Sequence, residues 1–464
     1  MSASIALFIW FVLLVGLLRF DPAKERKTST ALWVPLIWMF LVATRLPAQW
    51  LDSSEVSQSA QAMEEGSPVD RTVLSFLILL AVLILISRSF KWGAFVAHNW
   101  ALTSFLAFAL VSFVWSDFPL ITLKRWFRDF GNYLIVLVVL SDPRPQQAIA
   151  LVLRRLFYVL ITLSVLLIKY YPGISRQYDV FSGAPMDVGP TTSKNMLGLV
   201  CLISGVFFFW DTVTRWVNRR ERRTRRIILV NVAFLAMTLW VLHVARSTTS
   251  QVCLVLGCLV VAAAHNKVLR RRTSFMKAMP VIMVFSYLIL ALGLGLNGQI
   301  AGAVGKDPTL TDRTKIWEIL LSMHTNPLVG TGYQSFWLGS RLQWFWDTAG
   351  LGHLNEAHNG YLDVYLNLGL LGLLLLIGLL ASSYRTICRR LGSPSNFASH
   401  TLAVWTIIVF YNMTEAAFQG GLLWMLLLSG AIVVPARFED KVCELLPVPP
   451  GHRRPRMITP SAGL

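Results

Sequence analysis

The sequence predicts an all-α, polytopic integral membrane protein with about 12–13 transmembrane helices and one large periplasmic loop. Of its 464 residues, 55% are hydrophobic and only 14% are charged, whereas roughly 25% of the residues in ordinary soluble domains are charged. The apolar residues form runs near the ~20 residues that a helix needs to cross the hydrocarbon of a bilayer. The Lys and Arg residues cluster in short segments between these runs.

Thirteen apolar runs are the candidate spans. We place them at residues 3–18, 31–48, 72–87, 93–115, 131–140, 153–169, 195–211, 227–244, 249–264, 279–297, 361–380, 400–416 and 420–435. The run at 131–140 is short, so the amphipathic stretch before it is expected to contribute to the span. The first run lacks the flanks of a cleaved signal peptide, so we expect a retained helix.

The basic residues predict the orientation. With the N-terminus outside, 29 of the 42 Lys and Arg residues fall in segments on the cytoplasmic side. This distribution follows the positive-inside rule and places the C-terminus inside. The net charge of +18 then reflects orientation and attraction to anionic lipid headgroups, and no nucleic-acid partner is predicted.

The spans divide the chain into four segments. These are an N-terminal helix bundle (1–297), a large outer loop (298–360), C-terminal transmembrane helices (361–435) and a basic cytoplasmic tail (436–464). Loops as long as the second segment are usually functional or disordered. Its aromatic residues between Phe336 and Trp346 favour a functional loop.

Within the outer loop, residues 313–323 predict a short amphipathic helix. Asp312 stands at its start as a candidate cap. Its apolar face is predicted from helical spacing to carry Ile316, Trp317, Leu320 and Leu321.

Two arginines on the outer side are candidates for binding an anion. Arg246 lies in a short turn between two spans, and Arg313 lies in the outer loop. A charge so close to hydrocarbon is costly and usually faces an internal cavity. Arginine binds phosphate oxygens in bidentate fashion, so the pair predicts a pyrophosphate site. The alternative is structural pairing with Asp312, Glu356 or Glu415.

The segment from Glu356 to Asp363 is the candidate for acid–base chemistry. His358 lies where the outer loop enters the next span, and a neutral imidazole there could accept a proton from a sugar hydroxyl. Glu356 could orient the imidazole or act as the base itself. The alternative is that His358 only caps the start of a helix.

A glycine-containing loop, Gly330-Thr-Gly332, could present backbone N–H groups to an anion, although a plain turn is the favoured interpretation. The sequence has no phosphate-binding loop, no dinucleotide motif and no outer metal-binding carboxylate pair. No cofactor and no metal are therefore predicted, and any donor must arrive already activated.

Taken in order, these motifs resemble the O-antigen ligase / Wzy-type polymerase superfamily of bacterial envelope polysaccharide enzymes. The matching pieces are Trp115-Ser116 with Arg125, Ser193-Lys194-Asn195, Arg246-Ser247, Arg313-Thr-x-Ile-Trp317, Pro327 with Gly330-Thr-Gly332, His358-Asn359 followed after nine residues by Gly369-x-x-Gly372, and Glu415. Leu373 stands where ligase patterns carry threonine, which leaves ligase and polymerase both open.

The resemblance implies a metal-independent glycosyltransferase of the bacterial inner membrane with its active site facing the periplasm. Its donor would be an undecaprenyl-pyrophosphate-linked glycan, and its acceptor a glycan or lipid A-core. The implied roles are pyrophosphate binding by Arg313, Arg246, Lys194 and Arg125, catalysis by His358 with Glu356, and support by Asn195, Asn359 and Glu415.

Polymerisation of repeat units is the favoured activity, with ligation to lipid A-core as the alternative. Membrane lipids, a chain-length regulator and a flippase are the expected partners. A transporter or flippase for lipid-linked oligosaccharides would instead predict internal repeats and ionisable residues near mid-membrane. The spans are nearly free of such charges and show no convincing repeat.

Overall fold

The computed structural model is built almost wholly of helices. It describes residues 2–19, 29–51, 66–178, 183–266, 268–269, 272–289, 311–350, 354–391, 397–418 and 420–434. The predicted basic tail (436–464) and the beginning of the outer loop (298–310) lie outside these residues, as does the end of the predicted span at 279–297.

The N-terminal half begins with helices that pack around a long apolar core. They are α1 (Ala3–Arg19), α2 (Trp33–Ala43), α3 (Pro47–Leu51), α4 (Pro68–Ser87), α5 (Trp92–His98), α6 (Trp100–Val111), α7 (Pro119–Leu140), α8 (Pro145–Tyr170) and α9 (Pro172–Ser175). A small antiparallel hairpin of β1 (Arg176–Tyr178) and β2 (Pro185–Asp187) follows. The sequence did not predict this hairpin.

The remaining helices include those of the outer loop and the C-terminal bundle. They are α10 (Lys194–Arg215), α11 (Arg222–Ala245), α12 (Thr248–His265), α13 (Thr273–Leu288), α14 (Thr311–Ser322), α15 (Gly339–Ala349), α16 (Gly360–Arg390), α17 (Phe397–Tyr411) and α18 (Gly421–Ala431). Helix α10 packs against both α11 and α12, and α12 packs against α17.

Six helices among the described residues are long and apolar enough to cross a membrane: α4, α8, α10, α11, α12 and α16. Helices α5 and α6 pass the same test together but are bent by 100°. The shorter apolar helices among the described residues are α1, α2, α17 and α18. The predicted class, an all-α multi-pass membrane protein, is confirmed. Each predicted span overlaps at least one helix of the described residues, and the number of crossings stays a prediction.

The span predicted at 93–115 is not one straight helix. Asn99 interrupts it, because its Nδ2 donates to the carbonyls of Phe95 and Val433 at 2.8 Å. Its Oδ1 also accepts a hydrogen bond from the Val433 backbone at 2.9 Å. An asparagine side chain that takes over backbone hydrogen bonds in this way ends a helix. The sequence pattern shows the apolar run but not this partner, which lies near the other end of the chain.

The described part of the outer loop has a small core of its own. Ile316 and Leu320 of α14 are buried with Phe336, Trp337 and Phe345. The amphipathic helix predicted at 313–323 is therefore confirmed as α14. Of its predicted apolar face, Leu321 is 60% exposed, so that part of the prediction is wrong. The loop is a packed layer of structure on one end of the bundle.

The outer loop is anchored on a kink in α16. Gly369 has a φ of 64° inside this helix, a left-handed conformation that glycine adopts without steric cost. The kink exposes backbone N–H groups, and those of Leu370 and Leu371 donate to the carbonyls of Pro327 and Leu328 at 2.9 and 3.1 Å. The helix has thus exchanged internal hydrogen bonds for bonds to the loop.

The glycine-containing loop does not bind an anion through its backbone. The N–H of Thr331 donates to the carbonyl of Leu366 at 3.2 Å, and that of Gly332 donates to the carbonyl of Asn367 at 2.9 Å. Gly330 packs so closely on Asn367 that a side chain would clash. The favoured interpretation, a plain turn, is confirmed, and the anion-binding alternative is wrong because these donors are already occupied.

We expect Gly369→Ala to destabilise the protein by about 2 kcal/mol or more. The φ of 64° and ψ of −166° at Gly369 cost a residue with a side chain roughly 1–3 kcal/mol, and the new Cβ would also clash with the backbone of Leu328. Thermal unfolding in detergent measures the effect. Gly378→Ala on the same helix is the matched control, because its Cβ meets open space and should stabilise by up to ~1 kcal/mol. Equal midpoints for the two variants would contradict the proposed anchor.

Candidate active site

The candidate site forms where the start of α16 meets the turn after α17. The backbone N–H of Gly360 donates to the carbonyls of Asn412 and Glu415, both at 2.9 Å. The two segments approach so closely that any side chain at Gly360 would clash with the Asn412 amide. This contact places the residues that precede α16 directly beside Glu415.

Asn359, and not His358, caps helix α16. Its Oδ1 accepts hydrogen bonds from the backbone N–H groups of Tyr361 and Leu362 at 3.1 and 3.2 Å. Side-chain acceptors of this kind satisfy the free donors at a helix start. The capping alternative for His358 is therefore wrong, and its imidazole is left to make other contacts.

Glu415 lies at the centre of the site. Its side chain is only 6% exposed and pairs with Arg313, whose Nη2 is 3.0 Å from Oε1. The Nδ2 of Asn195 donates to both carboxylate oxygens at 3.1 and 3.2 Å. The Nδ1 of His358 lies 3.4 Å from Oε2. Three segments that are far apart in sequence thus meet on one buried carboxylate.

His358 lies between two carboxylates. Its Nδ1 is 2.9 Å from Oε1 of Glu356 as well as 3.4 Å from Glu415. The ring nitrogen is not aligned for a regular hydrogen bond with either oxygen, so these contacts act mainly as ion pairs. Burial alone lowers the pKa of His358, but Glu356 and then Glu415 raise it more, from 6.5 to about 10. The two carboxylates therefore favour the protonated imidazole at neutral pH, and the neutral imidazole expected from the sequence stays a prediction.

The other predicted anion-binding residues lie at different distances from this centre. Arg246 ends α11 in a left-handed conformation, with a φ of 51°, and is exposed. In the described part of the chain it has no ion pair or hydrogen bond through its side chain. Its turn lies beside the Glu415 turn, because the hydroxyls of Thr249 and Thr414 are 3.1 Å apart. Lys194, half-buried, begins α10 next to Asn195.

Arg125 contacts the outer loop. Its guanidinium donates to the backbone carbonyl of Gln334 at 2.7 Å. The neighbouring Arg128 donates to the Gln334 side chain at 3.0 Å. The structure therefore places Arg125 against the loop instead of among the direct partners of Glu415.

A cavity of about 460 Å³ opens beside Glu356. Its walls come from α2, α4, α7, α10, the outer loop, the start of α16 and the turn before α18. Among the lining residues that sequence reasoning missed are Asp129, Asn132 and Trp337. The sequence carries a signal for two of them, because Asp129 and Asn132 follow Arg125 at the three- to four-residue spacing of one helix face.

The site offers an anion two cationic side chains and one free donor. Arg313 and protonated His358 face the same carboxylate, and the Nη1 of Arg313 is buried without a hydrogen-bond acceptor in the described part of the chain. A buried donor without a partner is unfavourable. An added oxygen from a phosphate group would satisfy it in a charge-assisted hydrogen bond.

We expect Glu415→Ala to destabilise the protein by about 3 kcal/mol, because removing one partner of a buried ion pair leaves the other charge uncompensated. Thermal unfolding of the purified variant in detergent tests this. Asp347→Ala removes an exposed carboxylate of the outer loop and is the matched control, expected within ~0.5 kcal/mol of the unmodified protein. A Glu415→Ala midpoint as high as that of the control would contradict the central role of Glu415.

Comparison with known proteins confirms the resemblance stated from the motifs. Residues 232–377 match the family model described as O-antigen ligase, a segment that includes Arg246, Arg313, Glu356 and His358. A relative, the exopolysaccharide production protein ExoQ of Rhizobium meliloti (strain 1021), is 25% identical over 334 residues. The match covers 69% of this chain and 72% of the relative.

Proposed function

We propose that this multi-pass membrane enzyme of polysaccharide assembly, similar to the O-antigen ligase superfamily, transfers an undecaprenyl-pyrophosphate-linked glycan to a sugar hydroxyl. The observation that carries the proposal is that the half-buried side chains of Arg313 and His358 meet on the buried carboxylate of Glu415. The transfer takes place on the periplasmic face of the bacterial inner membrane. The N-terminus is then periplasmic and the C-terminus cytoplasmic, as the basic loops predict.

The reaction is a displacement at the anomeric carbon of the donor sugar. The bond between that carbon and the pyrophosphate oxygen breaks, and a new bond forms to the acceptor oxygen. Negative charge develops on the departing pyrophosphate, and groups placed in advance around that charge supply the main electrostatic stabilisation. Arg313 and protonated His358 are those groups, and the free Nη1 of Arg313 offers a further donor.

The proton of the acceptor hydroxyl passes to Glu356. A general base must be unprotonated and within reach of the hydroxyl, and an imidazolium with a pKa of about 10 does not meet the first condition at neutral pH. Glu356 is a carboxylate beside that imidazolium, half exposed and open to the cavity. Of the two roles that the sequence left open for Glu356, its position on the cavity wall beside His358 supports that of the base.

The remaining predicted residues support this arrangement. Asn195 orients Glu415, and Asn359 fixes the start of α16 so that His358 is held in place. Lys194 and Arg246 provide positive charge near the site for the distal phosphate. Arg125 acts indirectly, because it holds the outer loop in place through Gln334.

Chemistry independent of a metal fits this set of side chains. Glu356, His358 and Glu415 could each offer one atom to a cation, all within 4.8 Å of one another. The imidazole would first have to lose its proton, and Arg313 already neutralises Glu415. With this centre close to neutral, the charge of Lys194 and Arg246 nearby favours an anionic ligand over a divalent cation.

Polymerisation of an exopolysaccharide or O-antigen repeat unit is the activity we favour. The support is the likeness to an exopolysaccharide production protein over 69% of the chain. The family model described as O-antigen ligase supports the second candidate, ligation to lipid A-core.

Reconstitution distinguishes these activities. The purified protein in nanodiscs is given undecaprenyl-pyrophosphate-linked repeat units from its own organism, with and without lipid A-core. A ladder of longer lipid-linked glycans without added acceptor establishes a polymerase. Product that requires lipid A-core establishes a ligase. No transfer under either condition would overturn the proposal.

Arg313→Ala is expected to lower the transfer rate by about 10²–10³-fold, the effect of removing one donor to developing charge. Arg313→Lys keeps the charge but loses the bidentate geometry. Its transfer rate should lie between those of the unmodified protein and Arg313→Ala. Lys315→Ala on the same helix removes an exposed cation and is the control. Equal rates for Arg313→Ala and this control, at equal expression, would remove Arg313 from the mechanism.

The dependence of the transfer rate on pH tests the roles of His358 and Glu356. The pKa of His358 is raised, so its positive charge is present at neutral pH and is lost as the pH rises through about 10. If that charge stabilises the leaving group, the rate stays level through pH 7–9 and falls as the pH approaches 10. A rate that instead climbs towards pH 10 would assign the base to His358.

A further inference from the structure

Glu356 has a different environment on each side. On one side its Oε1 contacts Nδ1 of His358 at 2.9 Å. On the other side it lines the cavity of about 460 Å³, whose described lining includes neither His358, Arg313 nor Glu415. Glu356 therefore contacts the imidazole on one side and the cleft on the other.

The chemistry of the cleft is mixed. Two indole rings, Trp38 and Trp337, contribute to its walls together with Asp129 and Asn132. Clefts for small organic ligands typically measure roughly 300–1,000 Å³ and combine aromatic surface with a few polar groups. A pyranose ring has this same division, with apolar C–H faces and a rim of hydroxyls that both donate and accept hydrogen bonds.

Asn132 has an unmet hydrogen-bonding capacity in the cleft. Its side chain is buried, with 3% relative exposure, and its Oδ1 accepts a hydrogen bond from Nε1 of Trp38 at 2.8 Å. The Nδ2 group, which donates two hydrogens, has no acceptor in the described part of the chain. Because Asn132 lines the cleft, this group is open to the cavity and can donate to a ligand oxygen.

Asp129 is held rigidly on the same face of α7. Its Oδ1 accepts from Nε of Arg128 at 2.9 Å, and its Oδ2 accepts from the Tyr333 hydroxyl at 3.0 Å. The Gln334 amide also donates to Oδ2. A carboxylate fixed by three partners is a preorganised acceptor, and binding to it costs little side-chain entropy.

We propose that this cleft binds one sugar residue of the acceptor glycan and presents one of its hydroxyls to Glu356. The inference deepens the proposed function and rests on it for the role of Glu356. Asn132 donates to a ring or hydroxyl oxygen, Asp129 accepts from a hydroxyl, and Trp337 packs on the apolar face. These residues then determine which acceptor sugar is used, while the cations determine only that the leaving group is a pyrophosphate.

A lipid chain would match only part of the cleft. It could pack on Leu41, Leu74 and Phe418, but the described lining also includes Thr44, Gln49 and Arg128 besides Asp129 and Asn132. Polar groups that contact hydrocarbon lose hydrogen bonds to water without replacement. A sugar replaces those bonds.

Thr192→Phe tests the assignment by filling the cleft. Thr192 lines the cleft and its residue is exposed, so the larger side chain should not disturb folding. Thr72→Phe makes the same substitution at an exposed position of α4 outside the cleft lining and is the matched control. The probe is the oligosaccharide repeat unit released from the organism's own polysaccharide, without lipid or pyrophosphate, and its binding to each protein in nanodiscs is measured by titration calorimetry.

We expect Thr192→Phe to weaken oligosaccharide binding by at least about tenfold, the usual effect of misfit in a binding pocket, and Thr72→Phe to leave it unchanged. Equal binding by the two variants, or no binding by the unmodified protein, would overturn the inference. Displacement of the oligosaccharide by polyprenyl phosphate alone would also overturn it, because the cleft would then hold the lipid carrier.

The binding assay tests the cleft and the transfer assay tests the proposed function, so either proposal can be rejected while the other stands. Glycan transfer together with oligosaccharide binding that Thr192→Phe does not affect would leave the proposed function standing and reject the cleft. Oligosaccharide binding that depends on Thr192, without transfer to any acceptor, would reject the proposed function while the cleft remains a sugar site.

Discussion

The burial of one carboxylate, that of Glu415, constrains the whole site. Its side chain is 6% exposed, and an isolated charge at that depth is very unfavourable unless it is paired and hydrogen-bonded. Its partners lie 102 and 220 positions away in the sequence, at Arg313 and Asn195. The charge can be compensated only if the outer loop, the start of α10 and the turn after α17 meet at one point. The fold that satisfies this electrostatic requirement is also the one that assembles the proposed pyrophosphate site.

The outer loop reaches that point because it is attached to the bundle twice. One attachment is the kink in α16, where the loop backbone pairs with the freed N–H groups after Gly369. The other is α7, where Asp129 accepts from Tyr333 and Gln334. The second attachment borders the cleft beside Glu356, because Asp129 also lines that cleft. The same contacts that hold the loop therefore shape the space that we assign to the acceptor sugar, so the stability of the loop and the choice of acceptor are physically linked.

The sequence predicted the class of fold well because membrane spans leave strong local signals in length and charge. It also selected Arg313, His358 and Glu356, since polar residues in an outer loop stand out against an apolar background. It could not predict that His358 lies between two carboxylates, because Glu415 belongs to another segment and meets the imidazole only in the folded chain. It could not assign the backbone donors of Thr331 and Gly332 either, because their acceptors appear only when α16 bends.

The charges of the site explain how it could bind and then release an anion. Arg313 and His358 are balanced by Glu356 and Glu415, so the centre is close to neutral before a donor binds. Lys194 and Arg246 have no ion pair among the described residues, and their uncompensated charge can attract a pyrophosphate without breaking the central pairs. In the proposed mechanism, Glu356 takes the acceptor proton and loses the negative charge that faces His358. The imidazolium then keeps its 3.4 Å contact with Glu415, and its charge can stabilise the negative charge developing on the departing pyrophosphate. Proton transfer at the base and stabilisation of the leaving group would therefore be coupled through the contact between Glu356 and His358.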